Sequence, residues 1–353
     1  MARKILIVRV GAMGDVLHAL PAAAALRQAH PEDEVGWLVE RRWAELLCAQ
    51  GAAQAGARSA QRPLVDRLHI IDTFAMRAAP LTVATWSAGA KLRSEIREVE
   101  YDVALDLQGT MKSAMLAKLA GAKEGVAGYA DPRERAARFL YRKKLTRTGR
   151  HVIEQNVSAA GEMSGAMPAD PAALAMLPHD AAAEGWAARE IARRGLERFA
   201  MLNPGAGWGA KRWPAERYAA VARGLEQDGV RSVINIGPSE GELADVVERE
   251  SGGAAERVQC SIGELIALTR RAAVFVGGDT GPMHLANMLR VPVVAIFGPT
   301  DPARNGPFYT PNMVLRSAKS ETSYSHRDTR DAGLDSVSAE DVLSAARRLL
   351  EKR

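Results

Sequence analysis

The sequence predicts an α/β protein built from two doubly wound, Rossmann-like domains facing a cleft. Short apolar runs alternate with helical patterns, as in successive βαβ units. That rhythm breaks at a segment rich in Ala, Pro and Gly and then restarts. The length, 353 residues, is long for one α/β core and comfortable for two.

In the first series KILIVRV (Lys4–Val10), VGWLV (Val35–Val39), RLHII (Arg67–Ile71) and DVALDL (Asp102–Leu107) read as buried parallel strands. Helical patterns over Val16–Ala29, Lys91–Val99 and Met111–Leu119 separate them. The second series has strands at Phe199–Asn203, Ser232–Ile236, Ala273–Gly277 and Val293–Phe297. Its helices lie near Ala215–Gln227, Leu243–Glu250, Gly263–Arg271 and Met283–Leu289. The domains are therefore expected at 1–165 and 183–335, with a linker at 166–182. A polar tail from Ser317 to Asp335 reads as loop. A C-terminal helix within 336–353 is opened by Ser338 and Asp341, with Val342, Ala346 and Leu349 on one face.

Composition narrows the class. Hydrophobic residues make up 47% and charged residues 25%, the balance of a globular protein packed with aliphatic rather than aromatic side chains. Cys48 and Cys260 lie far apart with no metal-ligand spacing, which argues against a disulfide scaffold or a zinc site and fits a reducing compartment. The apolar run near the N-terminus spans only about six residues, too few for a signal peptide or a membrane span. A cytoplasmic protein is the expectation. The net charge of +5 is concentrated in one place. Arg133, Arg135, Arg138, Arg142, Lys143, Lys144, Arg147 and Arg150 are opposed there by Glu134 alone. Such a cluster is either a solvated basic face or an anion-attracting patch. It lacks the aromatic and Gly-Lys interleaving of nucleic-acid binders, so no nucleic-acid partner is expected.

Three segments have residues suited to chemistry. VGAMGDVLHALPAA follows the first strand directly. Gly11 and Gly14 let backbone approach a ligand, and Asp15 is either a general base at a strand end or a helix N-cap. The spacing is not Gly-x-Gly-x-x-Gly, and no acid closes the second strand in the ribose-binding manner unless Glu40 serves, so a dehydrogenase is disfavoured. NPGAGWGAKRWP (Asn203–Pro214) offers Gly205 in a glycine-rich loop and Lys211 as a point charge for a diphosphate, or is a plain turn. GGDTGPMHLANMLRVPVVAIFGPTDP (Gly277–Pro302) starts a helix with Asp279 as expected cap and Pro282 in the first turn. Thr280 and Gly281 bring backbone amides to a helix N-terminus, an anion site. His284, one turn in, is a packed core histidine or part of that site.

Together these blocks resemble the ADP-heptose:lipopolysaccharide heptosyltransferases of glycosyltransferase family 9, and most closely the heptosyltransferase I branch. The resemblance rests on Met13-Gly14-Asp15-Val16-Leu17-His18 with Leu20-Pro21, and on Asp106-Leu107-Gln108-Gly109-Thr110-Met111-Lys112-Ser113. It continues through Lys211-Arg212-Trp213-Pro214, Asp279 to His284, and Gly298 to Pro302, with Tyr141-Arg142-Lys143-Lys144 pointing to type I. Departures at His151–Asn156, and the sparse basic residues Arg77 and Lys91 within Thr73–Lys91, concern the acceptor rather than the reaction.

The resemblance implies the GT-B fold and an inverting transfer of heptose from ADP-heptose to the Kdo sugar of the lipopolysaccharide inner core. Asp15 would be the base. Lys211 with the Thr280 and Gly281 amides would stabilise the departing ADP, and no metal or other cofactor is implied. Asp279 would fix the loop or a sugar hydroxyl, while Gly205, His284 and Glu240 would complete the donor site, Glu240 at the ribose. Lys112, Arg133, Arg142, Lys143 and Lys144 would hold Kdo-lipid A, at the cytoplasmic face of the inner membrane. Alternatives are transfer to a later core sugar, a GT-B UDP-sugar 2-epimerase, or a non-catalytic nucleotide-sugar-binding protein.

Overall fold

The structure, a computed structural model, describes residues 2–80, 82–165, 177–237, 240–323 and 329–352. The chain divides into two compact units, Met1–Asp180 and Ala181–Arg353. Most of the expected linker, residues 166–176, lies outside the described residues.

The first unit runs β1 (Lys4–Val8), α1 (Met13–Ala29), β2 (Glu34–Glu40), β3 (Arg67–Ile71), α2 (Thr73–Ala78), α3 (Val83–Glu98), β4 (Val103–Asp106), α4 (Met111–Leu119), β5 (Val126–Tyr129), β6 (Lys143–Leu145) and α5 (Val152–Ser164). Its six strands are all parallel in the order β3-β2-β1-β4-β5-β6. Central strands covered on both faces must be apolar throughout. Accordingly Ile5, Leu6, Ile7 and Val8 are all fully buried. Between β2 and β3 the chain has little regular structure, and buried arginines satisfy its carbonyls. Arg27 donates to Leu64 and Asp33 carbonyls and to the Asp66 carboxylate, and Arg62 donates to the carbonyls of Val65, Gly56 and Ala57.

The second unit runs α6 (Ala181–Arg194), β7 (Phe199–Asn203), α7 (Ala215–Gln227), β8 (Arg231–Asn235), α8 (Gly241–Ser251), β9 (Ala255–Val258), α9 (Ile262–Thr269), β10 (Val274–Gly278), α10 (Gly281–Met288), β11 (Val293–Phe297), α11 (Pro302–Asn305), β12 (Asn312–Arg316) and α12 (Ala339–Glu351). Its parallel order is β12-β11-β10-β7-β8-β9, the same winding as the first sheet. In each unit the strand order reverses once, between β1 and β4 and between β7 and β10. Connections leave those points in opposite directions, so a crevice opens at the carboxyl ends of the two strands.

The two doubly wound sheets agree with the sequence reading, but each has six strands where patterning gave four. The strands that patterning passes over are short. Two of them are at least half polar: KKL in β6 and AERV in β9. The sheet edge strand β12 is half-exposed along most of its length. Helix α12 starts as expected, with Ser338 and Asp341 exchanging bonds to each other's backbone amides at 3.0 and 3.1 Å. It buries Val342, Ala345, Ala346, Leu349 and Leu350 against the second sheet.

Close approach rather than turn geometry demands glycine at position 36. A Cβ there would lie 1.8 Å from the Tyr101 hydroxyl, which is fixed by a 2.9 Å bond to His69 Nε2. Gly36→Ala is expected to destabilise the protein by about 1–3 kcal/mol through overpacking. Urea unfolding should show a lower midpoint at unchanged slope.

Candidate functional site

In the first unit the loop that holds Asp15 leaves β1 through Arg9. Arg9 is buried, and its guanidinium is held by the carbonyls of Leu107 and, at 3.2 Å, Asp15. Its remaining nitrogen lies 2.8 Å from Asp15 Oδ1. Asp15 is the third residue of α1, not its N-cap, and Oδ2 accepts the Ala12 amide at 3.1 Å. The carboxylate is thus gripped on one side by a buried cation and on the other by backbone, while 35% of its side chain faces solvent. Such a group is oriented but still reachable.

The neighbouring strand β4 ends in Asp106, which is fully buried. It accepts the Gln108 and Gly109 amides at 2.9 and 3.2 Å, the Ser113 hydroxyl at 2.9 Å and the Tyr141 hydroxyl at 2.7 Å. Burial pushes its pKa up, and these donors pull against that rise. Gln108 then reaches across to accept the Val10 amide at 2.9 Å, tying this turn to the Asp15 loop. Gly109 sits at φ +73° against the Arg133 backbone, a place only glycine fills.

Lys112, second residue of α4, is half-buried. Its pKa is lowered by burial and by the charges of Arg77 and Arg42, against the pull of Glu40. Arg42 and Arg77 thus join Lys112 in one cationic neighbourhood. Sequence reading missed Arg42 altogether, because the chain around it has no pattern that points to a site. Glu40, weighed as a ribose ligand, is buried and already accepts the Thr73 amide and hydroxyl at 2.8 and 2.5 Å. Of the candidate acceptor residues in the basic run, Arg133, Arg142, Lys143 and Lys144 are all exposed. The Lys143 ammonium nevertheless donates to the carbonyls of Glu162 and Met163, at 3.2 and 3.3 Å, near the end of α5. That satisfies carbonyls the helix itself leaves open. His151 caps the start of the same helix, its Nδ1 accepting the Ile153 amide at 3.2 Å. The buried Asn156 amide donates to the His18 carbonyl at 2.8 Å.

The second unit gathers its predicted residues around the β7–β10 reversal. Lys211 ends a short 3₁₀ turn, and its ammonium lies 2.5 Å from Asp279 Oδ2, 3.2 Å from the Asp279 carbonyl and 4.1 Å from the centre of the Trp208 ring. His284 Nε2 is 3.1 Å from the other carboxylate oxygen. Asp279 was expected to cap α10. The N-cap is Thr280, which makes no side-chain cap bond, and Asp279 spends both oxygens on Lys211 and His284. Burial alone would raise the Asp279 pKa; the His284 hydrogen bond and the Lys211 charge outweigh it and hold the carboxyl well below the usual range. Pro282 sits in the first turn of α10, where its missing amide costs nothing.

Asn203 bridges the rest. Its side-chain amide donates to the Gly205 carbonyl at 3.0 Å and to the Thr280 hydroxyl at 3.4 Å, and its oxygen accepts from Asn235 at 2.7 Å. Glu240 precedes α8 and accepts the Gly237 amide at 2.6 Å. Its carboxylate lies so close to Gly205 that a Cβ there would fall 2.0 Å from it. Lys211, Asp279, Thr280, Gly281, His284, Gly205 and Glu240 therefore form one constellation. Trp213 is structural: it is buried and its indole donates to the Val337 carbonyl at 3.0 Å. Among the described residues no group of three or more His, Cys, Asp or Glu is arranged to hold a metal ion.

Residues 89–333 match the family described as glycosyltransferase family 9 (heptosyltransferase). The chain belongs to glycosyltransferase family 9. It is therefore a glycosyltransferase, and the matched range includes Asp106, Lys112, Lys211 and Asp279, while Asp15 precedes it. The chain is 27% identical over 320 residues to lipopolysaccharide heptosyltransferase 1 of Pseudomonas aeruginosa, covering 89% of this chain and 84% of that protein. Its fold is like that of the E. coli heptosyltransferase WaaC with ADP, with a TM-score of 0.76 at 23% identity over 98% of this chain and 99% of that one. The family 9 glycosyltransferase of Veillonella parvula is similar too, at TM-score 0.80 and 23% identity, covering 99% and 98%.

The Asp279 arrangement has a consequence for stability. A carboxyl whose folded pKa is depressed adds stability that is fully present above its unfolded pKa, about 4. That contribution is lost as the pH falls from there toward the folded value. Asp279→Asn is expected to destabilise by about 2–4 kcal/mol at pH 7, because Lys211 is left buried without its counter-charge. The gap to wild type should narrow at pH 3, as read by urea unfolding at both values.

Proposed function

We propose that this family 9 enzyme transfers heptose from ADP-heptose to the Kdo sugar of a lipopolysaccharide inner core, with inversion at the anomeric carbon. The observation that carries the reading is the Lys211–Asp279–His284 cluster at the start of α10, at a strand-order reversal. A diphosphate laid there would meet a lysine ammonium and the opening amides of a helix, which have no partner inside the helix. Glu240, beside Gly205, would take the ribose hydroxyls.

In the step itself Asp15 accepts the proton of the acceptor hydroxyl as that oxygen bonds to the anomeric carbon. The bond from that carbon to the diphosphate breaks on the opposite face, and ADP carries away the electron pair. Charge then builds on the diphosphate, and Lys211 with the Thr280 and Gly281 amides would stabilise it. They supply positive charge without a metal or another cofactor. Arg9 keeps the Asp15 carboxylate aimed. Lys112, with Arg133, Arg142 and Lys144, would receive the acidic groups of Kdo-lipid A, a substrate that places the enzyme at the cytoplasmic surface of the inner membrane. The ammonium of Lys143 is committed to α5 and is a weaker candidate.

The deciding measurement is ADP release from ADP-heptose with and without Kdo₂-lipid A. Acceptor-dependent release is expected in wild type. Asp15→Asn should lower kcat by about 10²–10⁴-fold at nearly unchanged donor KM. Release that ignores the acceptor, or an Asp15→Asn variant of full activity, would overturn the assignment. Arg9 has its own test. Arg9→Met should lower kcat by about a hundredfold through misplacement of the base, and Arg9→Lys should recover much of it. If both variants lose stability but keep wild-type kcat, Arg9 is only a fold element.

A further inference from the structure

Helix α4 is unusual on its outward side. It buries Ser113, Ala114 and Ala117, and turns Met115, Lys118 and Leu119 to solvent, with Met115 57% and Leu119 47% exposed. The 3₁₀ turn Arg135–Leu140 packs against it through Ala137 and Leu140, which share a core with Ala114 and Ala117. Glu134, just before the turn, locks the two together by accepting the Met111 amide at 2.8 Å. From this pinned turn Phe139 projects outward, 84% exposed. Arg135 and Arg138 are exposed in the same turn, with Arg133 and Arg142 exposed just outside it.

Three bare apolar side chains on two packed elements, with exposed Arg135 and Arg138 in the turn of Phe139 and exposed Lys118 on α4, are poorly matched to water, and they constrain the partner. A second copy docking through the same face would bring like charges together, because a two-fold contact pairs a patch with itself. A lipid surface satisfies both features. Its phosphates meet guanidinium and ammonium groups, while aromatic and aliphatic tips enter the boundary between headgroups and acyl chains. We propose that the outward face of α4 and the turn Arg135–Leu140 form a docking surface for an anionic lipid bilayer, with Phe139, Met115 and Leu119 as the inserting side chains. The proposal deepens the membrane-side reading of the function and rests on it only for its biological use, since the surface can be tested without any transfer reaction.

The test is co-sedimentation of the full chain with phosphatidylcholine vesicles, with and without phosphatidylglycerol. Binding is expected only to the anionic vesicles and should weaken as salt is raised. Phe139→Ser should weaken it about tenfold, while Phe139→Leu should keep it. Arg135→Gln with Arg138→Gln should cost about fivefold per charge removed. ADP release with a water-soluble acceptor lacking acyl chains should be unchanged in all three variants, which separates docking from catalysis. Equal binding to neutral vesicles, or full binding by Phe139→Ser, would overturn the proposal. So would a dimer in gel filtration that Phe139→Ser converts to monomer while vesicle binding persists, because the face would then be a contact between copies.

Discussion

Each sheet carries a carboxylate out of water at the end of its fourth strand, and the surrounding loops are organised by the need to compensate it. An uncompensated buried carboxylate costs several kcal/mol. Asp106 ends β4, and Asp279 follows β10 directly. In the first unit the answer is neutral: two backbone amides and the hydroxyls of Ser113 and Tyr141 converge on Asp106, and burial still leaves its pKa raised. In the second unit Lys211 and His284 give a charged answer, and the Asp279 pKa falls.

The choice of compensation separates the two units chemically, although their strand order is the same. Neutral donors around Asp106 add no positive charge to the crevice, and Arg9 supplies a single oriented cation to Asp15. The charged cluster around Asp279 sits at the start of a helix, where the dipole adds to the lysine. Under the proposed transfer, a carboxylate that takes a proton and a site that holds a leaving diphosphate need these opposite settings. Gln108 and Asn203 play matching parts, each carrying a side-chain bond from one central turn to the next so that the loops are set by both strands.

Much of this was legible in the chain. The apolar runs mark the central strands because such strands must be apolar on both faces, and the glycine-rich loops mark the carboxyl ends where ligands bind. What escaped did so for identifiable reasons. Strands β6 and β9 are three and four residues long and at least half polar, too little for period or hydrophobicity to mark them. The residues alone left Asp15 as either a base or an N-cap, because an acid near a helix start is the usual cap pattern; it is the third helical residue, and its partner Arg9 looked like part of a strand. Asp279 looked like the cap of α10 for the same reason, yet Lys211, 68 residues away in the chain, claims it instead. Lys143 belonged to a charge cluster in sequence and to a helix terminus in space.

The sequence by itself determined the two doubly wound units, the glycine-rich loops that follow their central strands and the family to which the chain belongs. Those follow from local periodicity, glycine and proline placement, and the spacing of short motifs, all properties of neighbouring residues. Only the tertiary structure decided which charges face one another. It paired Arg9 with Asp15 and Lys211 with Asp279, and set Glu240 against Gly205. It gathered Arg42 and Arg77 near Lys112, and left Phe139 bare among arginines. Electrostatics and burial depend on distance in space, and a parallel sheet brings together strand ends that lie far apart in the chain.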